Sequence, residues 1–381
     1  MKQVYFDNAA TTAMRDAVID RMAEVMRSQY GNASSTHSMG RSAKSLLESS
    51  RKTIASFFNV SASEIVFTAG GTEADNLVLQ SAVRDLGVTE IITSKLEHHA
   101  VLHTVEHLQK TYNINVNYVN LLENGMIDLT DLERLLKSSN KKLVSLMHIN
   151  NEIGNKLDIN KVAELCKAND ALFHSDTVQS VGHYQMDLQD IRLDFLAASA
   201  HKFHGPKGIG FAFIRKGSGI KASIFGGEQE RGYRAGTESI HNIVGMEEAL
   251  KLSYANLEKE RSQILKLKDY FIDQLQSLSS EVTFNGNCED KEGSTYTLIN
   301  VCLPIAPEKG GMLHFQLDLK GIACSKGSAC QSGSNQNSHV LSEILDTENL
   351  LKPSVRFSFS CFNTEDEVDY VIETLKEFVK N

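Results

Sequence analysis

The hydrophobic pattern alternates between short apolar runs and longer amphipathic ones from about residue 60 to residue 215. The short runs are rich in β-branched and aromatic residues, which is typical of strands. Helical segments separate most of these runs, and this alternation predicts an α/β domain with a mostly parallel sheet that is covered on both faces. Seven strands are predicted: EIVFT (64–68), EIITS (90–94), INVNYV (114–119), KLVSLMHI (142–149), ALFHS (171–175), RLDFLAAS (192–199) and GIGFAFI (208–214).

The pattern in the rest of the chain predicts a second, smaller α+β domain. A helical stretch from about 238 to 279 leads into it. Residues 1–14 have the character of an extended segment that needs a partner, and we expect them to return to this domain. We therefore predict a large domain at 15–255 and a small domain formed by 1–14 and 256–381. Its predicted strands lie at 294–303 and 354–360, and its predicted helices near 309–320 and 364–379.

One polar segment of the small domain stands apart from its surroundings. Residues 325–338 read SKGSACQSGSNQNS, and Cys330 is the single cysteine among small and amide side chains. Long irregular segments in compact domains tend to be functional or disordered. We expect a mobile loop that carries Cys330.

Composition and charge exclude several classes of function. The chain has 381 residues, a net charge of −9 and a hydrophobic fraction of 41%. This acidic balance gives no long-range attraction to nucleic acid or to an anionic membrane. The sequence shows neither a signal-peptide pattern nor an apolar stretch of membrane-spanning length, so we expect a cytoplasmic protein. Its six cysteines form no CxxC pair, which favours reduced thiols.

Polar residues follow five of the predicted strands, at the edge where a parallel α/β sheet binds ligands. A structural protein has no reason to place ionisable side chains at so many strand ends. The arrangement therefore predicts one composite site. The sequences concerned are AGGTEADN, KLEHH, NNE, the pair Asp176 and Gln179, and AHKFHGPKG.

Each of these motifs taken alone has an ordinary structural alternative. The GGTEADN motif offers backbone N–H groups and a hydroxyl at a helix start, which is an anion site, but Thr72 would also serve as a helix cap. Asp176 needs a cationic or N–H partner after a buried strand, and either a protonated pyridine or a helix N-terminus would supply one. Lys202 is either a desolvated nucleophile or a solvated charge. Together, an anion cradle, a buried acid and a strand-end lysine indicate pyridoxal phosphate (PLP).

The sequence resembles the NifS/IscS-type cysteine desulfurases, which are fold-type I, class V aminotransferase-like PLP enzymes. The resemblance covers nearly the whole chain. It implies a large, mostly parallel seven-stranded domain plus a smaller α+β domain, and conversion of L-cysteine to L-alanine with the sulfur left as a persulfide. The matching motifs are YFDNAATT, GNASSTH, EIVFTAGGTEADN, ITSKLEHHAVL, MHINNEIG, HSDTVQSVG, SAHKFHGPKGIG, GGEQERGYRAGTES, GSAC and SVRFSF.

The resemblance implies roles for the positions that match the family's motifs. Lys202 would bind PLP covalently and then carry a proton to and from the substrate, and Asp176 would pair with the pyridine nitrogen. His98 would stack on the cofactor ring and act as an acid–base group, and Gln179 would bond the phenolic oxygen. Cys330 would accept the sulfur.

The same resemblance assigns the anionic groups of cofactor and substrate. Asn151 and Arg356 would bind the substrate carboxylate, which a guanidinium can grip with two hydrogen bonds. Thr237 would reach the phosphate of the partner subunit, which implies a homodimer with shared active sites. A sulfur-acceptor or scaffold protein is implied as a further partner. The remaining phosphate ligands would be Gly71, Thr72, Ser199 and His201.

Alternative functions remain open at this point. Another class V PLP enzyme, such as a selenocysteine lyase or a small amino-acid aminotransferase, would share most of these motifs. A non-enzymatic scaffold for sulfur relay is a second alternative.

The sequence gives no support for a metal site. His99, His103 and His107 repeat every fourth residue, but no carboxylate completes a zinc motif, and we predict no metal. Cys324 is expected to be a buried strand thiol rather than a resolving cysteine.

Overall fold

The computed structural model describes residues 2–326 and 338–379, and Cys330 lies outside these residues. The strands within them are β1 (Val4–Tyr5), β2 (Ile65–Thr68), β3 (Glu90–Thr93), β4 (Asn115–Tyr118), β5 (Lys142–Ser145), β6 (Leu172–Asp176), β7 (Phe195–Ser199), β8 (Gly210–Ile214), β9 (Thr283–Phe284), β10 (Leu298–Cys302), β11 (Ile322–Ala323) and β12 (Ser354–Ser358). The helices are α1 (Asp16–Ser28), α2 (Ser38–Phe57), α3 (Gly71–Arg84), α4 (His99–Tyr112), α5 (Leu129–Leu135), α6 (Ile159–Ala168), α7 (Ile240–Ala255), α8 (Leu257–Leu278), α9 (Pro307–Gly310), α10 (Leu313–Leu319), α11 (His339–Ile344), α12 (Thr347–Leu351) and α13 (Glu365–Val379).

The largest sheet has seven strands in the order β2-β8-β7-β6-β5-β3-β4. Strands β3 to β7 are parallel to their neighbours within this group, whereas β8 runs antiparallel between β2 and β7. The sequence pattern identified all seven strands, and the predicted α/β fold with a mostly parallel sheet is confirmed.

Alternate side chains of the central strands enter two different hydrophobic clusters. Along β7, Leu196 and Ala198 pack into one cluster, and Phe195 and Ala197 pack into the other. Successive side chains of a strand point to opposite faces, so both faces of this sheet are covered. This double coverage explains why the strands appear in the sequence as continuous apolar runs.

A third hydrophobic cluster lies around a three-stranded antiparallel sheet in the order β12-β10-β9. The rings of Phe6, Phe271, Phe357 and Phe359 pack against one another there. The N-terminal strand β1 pairs in parallel with β11, with Val4 opposite Ile322. The division of the chain into 15–255 and the remainder stays a prediction.

The structure differs from the sequence prediction in the helical stretch leading to this third cluster. Two helices, α7 and α8, occupy it, because Asn256 leaves the helical conformation and ends α7. The Asn256 side chain donates to the carbonyl oxygen of Leu252 at 2.8 Å and so caps the helix that it ends. Within residues 2–326 and 338–379, the structure contains no helix with the length and apolar character needed to span a membrane.

Candidate active site

The carboxyl ends of the parallel strands open into a cavity of about 740 Å³. Its walls come from the N-terminal segment, the start of α3, the strand ends and β12. A cavity of this volume suits a small cofactor together with a small substrate. The predicted site residues that line it are Gly71, Thr72, His98, Asn151, Asp176, Gln179, Ser199, His201, Lys202 and Arg356.

Asp176 is the last residue of β6 and only 5% of it is exposed. One carboxylate oxygen accepts a hydrogen bond from the backbone N–H of Val178 at 2.9 Å. Burial, reinforced by the nearby Asp75, raises the pKa of Asp176 to about 7. A carboxyl group held in this way gains stability from a cationic partner, because the partner compensates the cost of burying its charge.

Lys202 ends a short 3-10 turn that follows β7 directly. Its Nζ donates hydrogen bonds to the carbonyl oxygens of Ala9 at 2.5 Å and Ala10 at 3.0 Å. Gln179 donates to the same Ala9 oxygen at 3.0 Å. The N-terminal segment therefore positions the lysine, a contribution that the sequence analysis missed because backbone carbonyls leave no signal in side-chain identity.

His98 precedes α4 and caps it. Its Nδ1 accepts a hydrogen bond from the backbone N–H of Ala100 at 3.1 Å, so the neutral ring carries its proton on Nε2. Burial, followed by the charge of Lys202, lowers the pKa of His98 to about 4. The imidazole is therefore neutral near pH 7 and can both donate and accept a proton at the cavity wall.

An anion cradle lies where α3 begins. Gly71 is the first residue of the helix, and a Cβ there would come within 2.4 Å of the Val178 side chain. Thr72 is exposed in the first turn, and Ser199, the last residue of β7, lies beside Gly71. Free N–H groups at a helix N-terminus, with hydroxyls beside them, bind phosphate well. His201 completes this wall, and its Nδ1 lies 3.2 Å from the Thr11 hydroxyl.

Arg356 lies on β12 and only 1% of it is exposed. Its Nη1 donates to the carbonyl oxygen of Asn151 at 2.7 Å, and its Nη2 donates to Asp7 at 2.8 Å. A buried guanidinium at a cavity wall is suited to a carboxylate ligand. The two predicted substrate-binding residues are thus in direct contact, whereas Asp7 was missed by the sequence analysis.

A second acid, Asp75, also lines the cavity and was missed. It lies on α3, and its Oδ1 is 3.3 Å from Nε2 of His174, two residues before Asp176 on β6. The other ring nitrogen of His174 is 2.9 Å from the Ser145 hydroxyl. Burial raises the pKa of Asp75 and lowers that of His174. The sequence did contain one indication of this pair: His174, a polar residue two positions before Asp176, interrupts the apolar run of β6.

Two predicted site residues are not part of this wall. Thr237 is exposed and does not line the cavity. Its proposed role concerns the partner subunit, so that role stays a prediction. Cys330 lies outside the described residues.

The histidine repeat on α4 extends away from the cavity. The rings of His99 and His103 stack with centroids 4.8 Å apart, and His339 approaches His99 at 4.4 Å. Over the described ranges, no group of three or more histidine, cysteine or acidic side chains is arranged to hold a metal ion.

Comparison with known proteins places this geometry in context. The chain matches the family described as Aminotransferase class-V over residues 4–371. It is 37% identical to the cysteine desulfurase IscS of Dictyoglomus turgidum over 381 residues, which cover 100% of this chain and 95% of that protein. It is 38% identical to the cysteine desulfurase IscS of Clostridium botulinum over 382 residues, with coverage of 100% and 95%. A solved structure of a NifS-like protein is 34% identical, with a TM-score of 0.90 and 99% coverage of each chain.

Proposed function

The chain belongs to the aminotransferase class-V family, and we propose that within it the protein is a PLP-dependent cysteine desulfurase. It converts L-cysteine to L-alanine and passes the sulfur on as a persulfide of Cys330. The observation that carries this proposal is the meeting of Asp176, Lys202 and Arg356 in one cavity. An acid for the ring nitrogen, an amine for the aldehyde and a guanidinium for an α-carboxylate are what an amino-acid PLP enzyme requires.

PLP is the cofactor of this family, and the described residues fit it. Asp176 would pair with the pyridine nitrogen, because a cation relieves the cost of burying its carboxylate. Gln179 would bond the phenolic oxygen, and His98 would stack on the ring. The cradle formed by Gly71, Thr72, Ser199 and His201 would hold the phosphate, and the 2.4 Å approach to Val178 leaves no room for a Cβ at Gly71.

The bound cofactor supplies an electron sink for the electron pair left at the substrate Cα. The Lys202 amine, held beside the carbonyls of Ala9 and Ala10, takes the Cα proton. Arg356 and Asn151 orient the substrate through its carboxylate. His98, with a proton on Nε2, is the group that we assign to exchange a proton at the substrate sulfur.

Sulfur leaves by nucleophilic attack of the Cys330 thiolate on the substrate sulfur. The new S–S bond forms as the Cβ–S bond breaks, and the electron pair of the broken bond stays on Cβ, which is protonated. Return of a proton from Lys202 to Cα then gives alanine. Cys324 is a poor candidate for this step. Burial, followed by the charge of Asp7, raises the pKa of Cys324 to about 12, which keeps it as an unreactive thiol.

The biological setting belongs to the same proposal. We assign the persulfide to iron–sulfur cluster assembly or to thiolation of tRNA or cofactors, through a sulfur-acceptor or scaffold protein in the cytoplasm. A homodimer with shared sites is supported by Phe225, which is 81% exposed twelve residues before Thr237. Large exposed aromatic side chains are typical of subunit interfaces.

Replacement of Cys330 tests the desulfurase function against its alternatives. Cys330→Ala should abolish persulfide and sulfide release from L-cysteine while the absorption of the bound cofactor persists. Cys324→Ala is the matched control and should retain activity. An unchanged rate in Cys330→Ala would favour another class V enzyme. Absence of a cofactor absorption band that responds to L-cysteine would favour a non-enzymatic scaffold.

A further inference from the structure

Arg356 carries a charge that is almost completely buried. Its side chain is 1% exposed, and the carboxylate paired with it, Asp7, is 19% exposed. A buried guanidinium without a counter-ion is strongly unfavourable, so the ion pair with Asp7 makes this placement of Arg356 possible. Asp7 is therefore part of the environment that prepares Arg356 for a ligand.

The position of Asp7 is itself fixed by a second donor. The same Oδ1 atom accepts hydrogen bonds from Nη2 of Arg356 at 2.8 Å and from the Ser325 hydroxyl at 2.7 Å. The backbones of Ser325 and Arg356 also pair, through N–H to carbonyl bonds of 3.2 and 2.8 Å. The three residues form one connected unit, although they are far apart in the chain.

The hydrogen bonds of Arg356 fix the plane of its guanidinium. Nη1 is held by the carbonyl oxygen of Asn151 and Nη2 by Asp7. Within residues 2–326 and 338–379, Nε is buried without a hydrogen-bond partner. Two anchors on two different nitrogens prevent rotation of the planar guanidinium about the Cδ–Nε bond, and bidentate binding of a carboxylate depends on the orientation of that plane.

We propose that Asp7 is a positioning residue for the substrate carboxylate, acting through Arg356 and held in place by Ser325. This inference rests on the proposed function only for the identity of the substrate, because every α-amino acid presents the same carboxylate. The role is distinct from that of Arg356 and Asn151, since Asp7 orients the cation and does not touch the carboxylate. The preference of the site for ligands that carry the α-carboxylate should therefore depend on Asp7.

The test is equilibrium binding of two probes to the holoenzyme, followed by the absorption of the bound cofactor. L-Alanine carries the carboxylate, and ethylamine is the matching amine without it. Asp7→Ala should raise the Kd of L-alanine about tenfold, the size expected when a charged hydrogen-bond network loses one member. The Kd of ethylamine and the affinity for PLP should stay within about twofold, because neither uses Arg356.

Two further variants keep the test decisive. Asp7→Asn retains an oxygen acceptor and should lie between the wild type and Asp7→Ala. If Asp7→Ala fails to fold, Ser325→Ala removes the hydroxyl that donates to Asp7 and should raise the Kd of L-alanine by a smaller factor. Glu260→Gln alters the Arg15–Glu260 pair, a bidentate ion pair that does not line the cavity, and serves as the control.

Equal weakening of both probes in the folded variants, or no weakening of either, would overturn the inference. Failure of the desulfurase proposal would leave a different pattern. L-Alanine binding would still depend on Asp7, whereas L-cysteine would release no sulfur.

Discussion

The cavity has two halves whose side chains are positioned by different kinds of contact. One half, the sheet half, is formed by β6, β7 and α3, and the other is formed by the N-terminal segment and β12. In the sheet half, Asp176 and Ser199 end adjacent parallel strands, and Asp176 is bonded by Val178, two residues away. In the other half, Arg356 is bonded by Asp7, 349 residues away in the sequence. Secondary structure alone places Asp176 and Ser199, whereas the orientation of Arg356 depends on distant segments of the chain coming together.

This difference suggests that the two halves of the cavity serve different functions. The sheet half supplies the groups that fit the cofactor, at the ends of buried parallel strands. The second half supplies the groups that fit a substrate carboxylate, on segments joined by hydrogen bonds between side chains. Variants in the two halves should therefore separate loss of chemistry and cofactor binding from loss of substrate binding, and the following predictions test that separation.

The largest effect is expected in the sheet half, at Lys202. Lys202→Ala should lower the rate of alanine formation by about a thousandfold or more, because in the proposed function the amine is both the covalent attachment point and the proton carrier. The visible absorption of the bound cofactor should change as well. The matched control is Lys216→Ala, which removes an exposed lysine just after β8 and should retain activity. Normal turnover by the Lys202 variant would show that the sheet half does not carry the catalytic groups.

The second largest effect is expected in the other half, at Arg356. Arg356→Lys keeps a positive charge but loses the planar fork, so the KM for L-cysteine should rise about a hundredfold while kcat changes less. Steady-state kinetics and PLP titration of the same preparation would measure both. A fall in PLP affinity that matched the rise in KM would show that the two halves are not separate.

A tenfold effect is expected at the cradle. Gly71→Ala should weaken PLP binding about tenfold, because its Cβ would overlap the Val178 side chain and displace the start of α3. Adding Val178→Ala removes the overlapping methyl group and should restore most of the affinity. Reconstitution of the cofactor-free protein, followed by fluorescence, measures both variants. No rescue by the second substitution would show that the steric explanation is wrong.

The smallest effect concerns the stability of the cofactor-free protein at different pH values. Burial is the main cause that lowers the pKa of His98, His201 and His204 to about 4 from 6.5, so their contribution is present above pH 6.5 and lost as the pH falls toward 4. Burial raises the pKa of Asp176 from 3.8 to about 7, so its contribution is complete below pH 3.8 and is lost as the pH rises from there through 7. Between pH 4 and pH 6.5 the three histidines therefore make stability rise with pH, and Asp176 opposes part of that rise.

Urea unfolding at pH 5, 6.5 and 8 would measure this profile. Stability should fall from pH 6.5 to pH 5 and change less between pH 6.5 and pH 8. Asp176→Asn should steepen the fall on the acid side by about 1 kcal/mol, the scale of one pKa unit, because the variant lacks the carboxyl group that takes up a proton in the folded state over that range. An unchanged pH profile in Asp176→Asn would show that the pKa of this carboxyl group is not raised in the folded, cofactor-free protein.

The comparison also explains which features were predictable from the sequence. The strands were found because apolar runs mark buried strands, and the residues after them were identified because parallel strand ends meet at one edge. The pairing of Asp7 with Arg356, and of Asp75 with His174, was missed because no local pattern records a contact between distant segments. Strand β9 was also missed, since it consists of only two residues, Thr283–Phe284.

The most direct test of the central claim is mass spectrometry of the protein after incubation with L-cysteine, combined with measurement of the alanine formed. The account predicts one additional sulfur atom on the peptide that contains Cys330, formed together with L-alanine and absent from Lys202→Ala. Alanine formed without a sulfur adduct on Cys330, or an adduct that persists in Lys202→Ala, would contradict it.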